Sequence, residues 1–297
     1  MELSIINLLL VLLSAWVGGL AATRIGYPAL LGELLAGILL GPPLLGLLSS
    51  GAALGVLAEV GILLMMLYIG MEIDPRELGK ASKAGFLAAT GGFITPFALC
   101  YALITASGGT ALAALFVGVA AGVTSLTTKS RILVDLKLLD TRIAHVMMAG
   151  ALLTDSACLV IFAGVLSLAE LGSVDLNALL IVLAKALAFF GVAALLGLKV
   201  FPLLGRVLQR RKPSRTTAFM LVLLIALAFA ELAELAGMHG ILGAFIAGLF
   251  LREQMFGRTM SKAIIESVHQ ASIGFLAPIF FVTAGFGVTL DVFSNEL

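Results

Sequence analysis

The sequence predicts an all-α polytopic membrane protein, on the strength of its apolar composition, its long uninterrupted apolar runs and the placement of its basic residues. Of the 297 residues, 61% are hydrophobic and 12% are charged, and the mean hydropathy is +1.17. That is more apolar than a water-soluble domain needs to fill its core. In hydrocarbon every backbone N–H and C=O must be satisfied inside the protein, so only helices or closed barrels span. The alternation of a barrel strand is absent, whereas the apolar runs approach the ~20 residues of one helical crossing.

Ten crossings are expected, at roughly 3–22, 28–48, 54–71, 84–106, 110–128, 143–168, 176–200, 216–236, 238–251 and 272–290. Met1-Glu2-Leu3-Ser4 lacks the basic start of a secretory signal, so the first run is expected to be a retained span. Alternate connections carry Arg24, then Arg76, Lys80 and Lys83, then Lys129, Arg131, Lys137 and Arg142. Next come Lys199, Arg206, Arg210, Arg211, Lys212 and Arg215, and finally Arg252, Arg258 and Lys262, making 17 of the 18 Lys and Arg residues. The positive-inside rule therefore places the N-terminus outside and these connections in the cytoplasm. A net charge of +1, with the cations in short connections, gives no electrostatic case for nucleic-acid binding. Cys100 and Cys158 lie in apolar runs and read as packing residues.

The second span contains Leu31-Gly32-Glu33-Leu34-Leu35-Ala36-Gly37-Ile38-Leu39-Leu40, and the ninth contains Leu242-Gly243-Ala244-Phe245-Ile246-Ala247-Gly248-Leu249-Phe250-Leu251. Both follow L-G-x-x-x-A-G-x-x-L. By the loop charges they run in opposite directions, as in inverted transporter repeats. The runs ending Ile69-Gly70-Met71-Glu72-Ile73-Asp74 and Ala284-Gly285-Phe286-Gly287-Val288-Thr289-Leu290-Asp291 pair more loosely. The alternative is that small residues recur wherever helices pack closely in lipid. A full repeat implies counterparts of spans four to six after span ten.

Asp155, in Thr154-Asp155-Ser156, puts one carboxylate near the middle of span six. Placing such a charge in a membrane costs at least ~2.5 kcal/mol on insertion scales, so an intramembrane Asp is a functional candidate by default. With the hydroxyls of Thr154 and Ser156 it forms a donor set suited to a hard cation, for which a proton competes. The alternative is a protonated Asp bonded to a neighbouring helix. Span five ends in Gly118-Val119-Ala120-Ala121-Gly122-Val123-Thr124-Ser125-Leu126-Thr127-Thr128, whose glycines and hydroxyls weaken a helix. Either it unwinds and offers carbonyls and helix ends beside Asp155, or its hydroxyls simply bond back to their own helix. Lys185, in span seven, is expected to snorkel, and Glu33 to serve helix packing or a subunit contact. His145, His239 and His269 are scattered, with no metal-ligand spacing.

With these residues assembled, the chain resembles the cation:proton antiporters of the Kef and Nap type, within the sodium/hydrogen exchanger superfamily. The resemblance rests on Gly32-Glu33-Leu34-Leu35-Ala36-Gly37-Ile38-Leu39-Leu40-Gly41-Pro42, on Thr124-Ser125 with Arg131-Ile132-Leu133-Val134-Asp135, and on Asp140-Thr141-Arg142. Thr154-Asp155, Leu242-Gly243-Ala244-Phe245-Ile246-Ala247-Gly248 and Pro278-Ile279-Phe280-Phe281-Val282 complete it. It implies one transmembrane domain over 1–297 and no soluble domain, with spans one to three and seven to ten as scaffold. Spans four to six, roughly residues 84–168, would form half of an ion-translocating core. It further implies a homodimer in a bacterial or archaeal cytoplasmic membrane, exchanging Na⁺ or K⁺ for H⁺ by alternating access, with no cofactor and no enzymatic activity. Asp155 would hold the cation or the proton, with Thr154, Ser156, Thr124 and Ser125 around it. Two departures accompany the likeness. Thr154 stands where familiar members carry Asp, Asn or Gln, which implies electroneutral exchange. Three further helices are expected after span ten, so a second chain supplying them, or a non-transporting subunit, is the alternative reading.

Overall fold

Long apolar stretches with polar caps fold here into a helical bundle. The computed structural model describes residues 4–171, 173, 175–211, 213–251 and 253–289, and no strand occurs among them. In chain order the helices are α1 (Ile5–Arg24), α2 (Ala29–Leu40), α3 (Ala52–Glu72), α4 (Pro75–Ala106), α5 (Ala111–Gly122), α6 (Leu126–Asp135) and α7 (Arg142–Leu171). They continue with α8 (Leu176–Leu195), α9 (Phe201–Arg211), α10 (Arg215–Leu235), α11 (Gly240–Phe250), α12 (Glu253–Phe256), α13 (Arg258–Ala271) and α14 (Ala277–Gly285). Single π-helical turns, Leu196–Val200 and Ser272–Leu276, join α8 to α9 and α13 to α14. Lys212, Arg252, Leu290 and Asp291, used in the reading of charge and repeat, lie outside the described residues.

Eight of the helical segments are long and apolar enough to cross a membrane, and α2 and α11 are shorter apolar helices. Helices stand at all ten expected positions, with shifted borders, but α2 and α11, with 12 and 11 residues, fall short of the ~20 residues of a full crossing. The second span stops at Leu40 rather than near 48, because Pro42 disfavours helical geometry at the residue before it. The fourth begins at Pro75, nine residues early, where Asp74 Oδ1 accepts from the Arg76 N–H and proline occupies the first turn. Arg76, Lys80 and Lys83 therefore sit in a helix rather than a loop. Lys129 and Arg131 likewise belong to α6, and Lys199, Arg206, Arg210, Arg258 and Lys262 to the helical segments from the first π turn to α13.

The two short helices carry the repeated motif, and their packing repeats too. Helix α2 lies against α1 and α14, while α11 lies against α10 and α3. A Cβ added at Gly37 would collide with the Val282 carbonyl oxygen, and one at Gly248 with the Leu67 carbonyl oxygen. Reciprocally, a Cβ at Gly70 would meet the Phe245 carbonyl oxygen and one at Gly285 that of Leu34. Leu34 and Gly37 align with Phe245 and Gly248 at an offset of 211 residues, and Leu67 and Gly70 with Val282 and Gly285 at 215, so the pairs exchange once four extra residues are allowed between the repeated segments. The small residues thus serve close packing and the internal repeat at once. Around this contact lies the deepest part of the core, where Met65, Met66, Leu67, Ile69, Phe245 and Ala277 are inaccessible.

Helices α4, α5 and α7 pack mainly on one another, and α4 exposes Phe86, Leu87, Ile94, Leu99 and Leu103. Large apolar side chains also cover α1 and α8. Such a surface suits a hydrocarbon solvent.

Candidate functional site: a carboxylate at a helix break

The fifth span is two helices. Helix α5 ends at Gly122, and Val123, Thr124 and Ser125 are non-helical before α6 starts at Leu126. Two forces place the interruption. Gly118 and Gly122 lower the helix propensity of the stretch, and a Cβ at either would crowd Phe97 or Phe93 of α4, at 2.9 and 2.7 Å. Ser125 then restarts the helix as N-cap, its Oγ accepting from the Thr128 N–H at 3.3 Å. Its Oγ also lies 2.8 Å from Thr127 Oγ1 and accepts from Thr128 Oγ1 at 3.2 Å. A break in a span leaves carbonyls without partners at the end of α5 and N–H groups at the start of α6, a combination that serves both signs of charge.

Asp155 lies midway along α7 and is half-buried. It opens onto a cavity of about 810 Å³ whose walls include Phe116, Val119 and Val123 of the α5 side, Ser125, Leu126 and Thr127 of the break, and Cys158, Leu159 and Phe162 of α7. The far wall comes from the α10–α11 corner, with Met238, His239, Ile241 and Leu242. Most of this lining is apolar, so the carboxylate and the hydroxyls of Ser125 and Thr127 are concentrated polar points in a low-dielectric setting. Lys129, half-buried on the second turn of α6, is near enough for its charge to act on Asp155, without a direct ion pair between them.

The expected residues divide accordingly. Asp155 and Ser125 share the cavity. Thr124 is exposed and outside its wall. The hydroxyl of Thr154 is buried and donates to the Gly150 carbonyl at 2.9 Å, and that of Ser156 donates to the Leu152 carbonyl at 3.0 Å. Both flanking residues therefore spend their proton on their own helix. Lys185 is exposed on α8, a position open to snorkelling. Glu33 is buried in α2 and accepts from Arg131 Nη2 at 3.0 Å.

The model of the transmembrane sodium/hydrogen exchanger family matches residues 8–297. The chain belongs to that family. It is 31% identical over 288 residues to the Na(+)/H(+)-K(+) antiporter GerN of Bacillus cereus, an overlap covering 97% of this chain and 72% of GerN. With the probable Na(+)/H(+) antiporter GerT of the same organism it shares 29% over 293 residues, 98% of this chain and 76% of the relative. An Enterococcus hirae Na(+)/H(+) antiporter is 26% identical over 290 residues, 98% of this chain and 74% of that one. Membership makes this an integral membrane transporter rather than an enzyme.

Within that exchanger frame, sequence reasoning missed His239, Thr127 and Lys129 as neighbours of Asp155. His239 caps α11, its Nδ1 accepting from the Ile241 N–H at 3.4 Å, and reaches the cavity from a helix far along the chain. No local pattern encodes that approach. Thr127 and Lys129 were legible in principle, because a helix restarting at Ser125 carries its first turns beside whatever the break faces.

Proposed function

We propose that this chain is a secondary active transporter exchanging a monovalent cation, Na⁺ or K⁺, for protons, with Asp155 binding either ion. The observation that carries the reading is the shared cavity of Asp155 and the helix break capped by Ser125. A carboxylate supplies the charge a desolvating cation needs, while hydroxyl and carbonyl oxygens replace its water. A proton neutralises the same carboxylate. Each ligand thereby excludes the other, and an empty, charged site is costly to carry through the apolar interior. Loading by either ion then licenses passage of the site from one side to the other, which is alternating access with obligatory exchange. The names of the relatives, antiporters of Na⁺ and H⁺ and in one case K⁺, support this choice of ions.

Replacing Asp155 by Asn keeps the shape of the side chain and removes the exchangeable charge. In inside-out vesicles loaded with a pH-sensitive dye, adding Na⁺ or K⁺ is expected to release no protons from the variant, against a clear response of the wild type at equal membrane abundance. Full retained exchange would refute the assignment.

A second reading is supported by the exposure of Thr124 and Ser125 at the break. Here the chain acts with a partner whose helices add oxygens to the site. Flux that appears only after co-expression with such a partner would select it.

A further inference from the structure

A guanidinium is buried where three helices of this chain meet. Arg131, 3% exposed on α6, donates from Nη2 to Glu33 Oε1 of α2 at 3.0 Å, and its Nε lies 3.0 Å from Asp135 Oδ1 one turn further on. Its central carbon stands 5.6 Å from the ring centre of Phe281 on α14. Asp135 Oδ2 accepts from the Leu30 N–H in the first turn of α2, at 3.4 Å. One cation thus serves two carboxylates; Glu33 Oε2, Arg131 Nε and Arg131 Nη1 are buried without a hydrogen-bond partner among the described residues, so the approach of Nε to Asp135 is an ion pair rather than a hydrogen bond.

A buried ion network of this kind is a poor source of stability, because desolvation offsets most of the attraction, but its fixed geometry specifies how elements meet. What it specifies here is the orientation of α6. Only three non-helical residues tie α6 to α5, so the direction of α5 does not set it. Arg131 lies six residues from the Ser125 cap, about 9 Å along the helix axis at 1.5 Å per residue. Any rotation of α6 about the guanidinium moves Ser125 and Thr127 relative to Asp155.

We propose that Arg131 is a positioning residue for ion exchange: by gripping Glu33 and Asp135 over the Phe281 ring, it fixes where the helix break stands beside Asp155. Lysine cannot replace it, since a point charge offers neither the planar fork for two carboxylates nor a flat face for the ring. The link to exchange rests on the reading of Asp155 as the ion site, whereas the positioning itself is measurable without any ion flux.

The test uses the full chain in membrane vesicles, with Cys100→Ala and Cys158→Ala, a reporter Ser125→Cys at the break, and a control Ser107→Cys at the exposed end of α4. Labelling by N-ethylmaleimide is timed with Arg131 intact, with Arg131→Lys and with Glu33→Gln. The second variant leaves the Arg131–Asp135 pair balanced in charge. Both are expected to change the rate at position 125 by about fivefold or more, within the range that coupled residues modulate a distant site, and to leave position 107 unaltered. An unchanged rate at 125, or equal changes at both reporters, overturns the proposal. So does failure of both variants to accumulate in the membrane, which assigns the network to stability alone. Where flux is measurable, the same variants are expected to raise the apparent KM for the cation while Asp155 remains intact, whereas exchange surviving Asp155→Asn would remove the ion-site reading and leave the labelling result standing.

Discussion

Ser125 and Thr124 are adjacent hydroxyl residues in one break, yet they have different surroundings. Both are exposed, but Ser125 caps α6 and lines the cavity, whereas Thr124 does neither. Ser125→Ala removes a cap and an oxygen together. Loss of the cap is expected to cost about 1 kcal/mol, which melting of the purified protein in detergent would register. Loss of the oxygen is expected to raise the apparent KM for the cation by about tenfold, the effect of one hydrogen-bond-strength contact to a charged ligand. Thr124→Ala should alter neither by more than about twofold, since a surface substitution away from such features is near neutral. Equal effects from the two variants would place the site outside this cavity. The distinction was not legible in the sequence, where both hydroxyls sit in the same weakened stretch. Which of two neighbours faces Asp155 depends on the turn at which α6 restarts, and that is set by tertiary contacts such as the buried Leu126, Ser130 and Leu133.

Among the elements, apolar runs were enough to find a helix at each of the ten expected positions, eight of them long enough to cross, because hydrocarbon forces the backbone to satisfy itself by helix formation. It failed at the borders. Polar caps such as Asp74 start helices inside charged segments, so basic residues that mark the cytoplasmic side occupy helices instead of loops. The buried Arg131 is the extreme case, a cation counted among connections that is paired on two sides. Motif glycines were better guides. Gly37 and Gly248 stand in the short helices α2 and α11 at equivalent places in the repeat, each against a carbonyl of the opposite long span. Valine at either position would force the helices apart, and overpacking of this kind costs about 1–3 kcal/mol. Gly91 in α4 has open space around it, so Gly91→Ala is expected to be neutral or to stabilise by up to about 1 kcal/mol through helix propensity. Thermal unfolding of the three variants in one detergent would check this order. A destabilisation at Gly91 equal to that at Gly37 would contradict the packing described here.

For the molecule as a whole, where exchange runs through Asp155 as proposed, the count of charges at that site governs how exchange responds to voltage. Among the described residues Asp155 is the one carboxylate on the cavity wall, and Thr154 beside it is a neutral side chain whose hydroxyl is engaged with Gly150. With a monovalent cation bound, the Asp155 site carries the same charge as with a proton bound. Lys129 does not alter that balance as long as it keeps its proton, because a constant charge that moves with the site in one half of the cycle returns in the other. A cycle of one cation for one proton therefore transfers no net charge. Each elementary charge moved across the membrane would instead couple to about 2.3 kcal/mol per 100 mV. Exchange in proteoliposomes clamped at inside-positive and inside-negative potentials of equal size, about 100 mV, is thus expected to run at rates within twofold of each other, whereas transfer of one net charge would be driven by that full coupling energy in opposite directions. A tenfold dependence on the sign of the potential would mean that a second titrating group moves with Asp155, and the nearby Lys129 would be the first to replace.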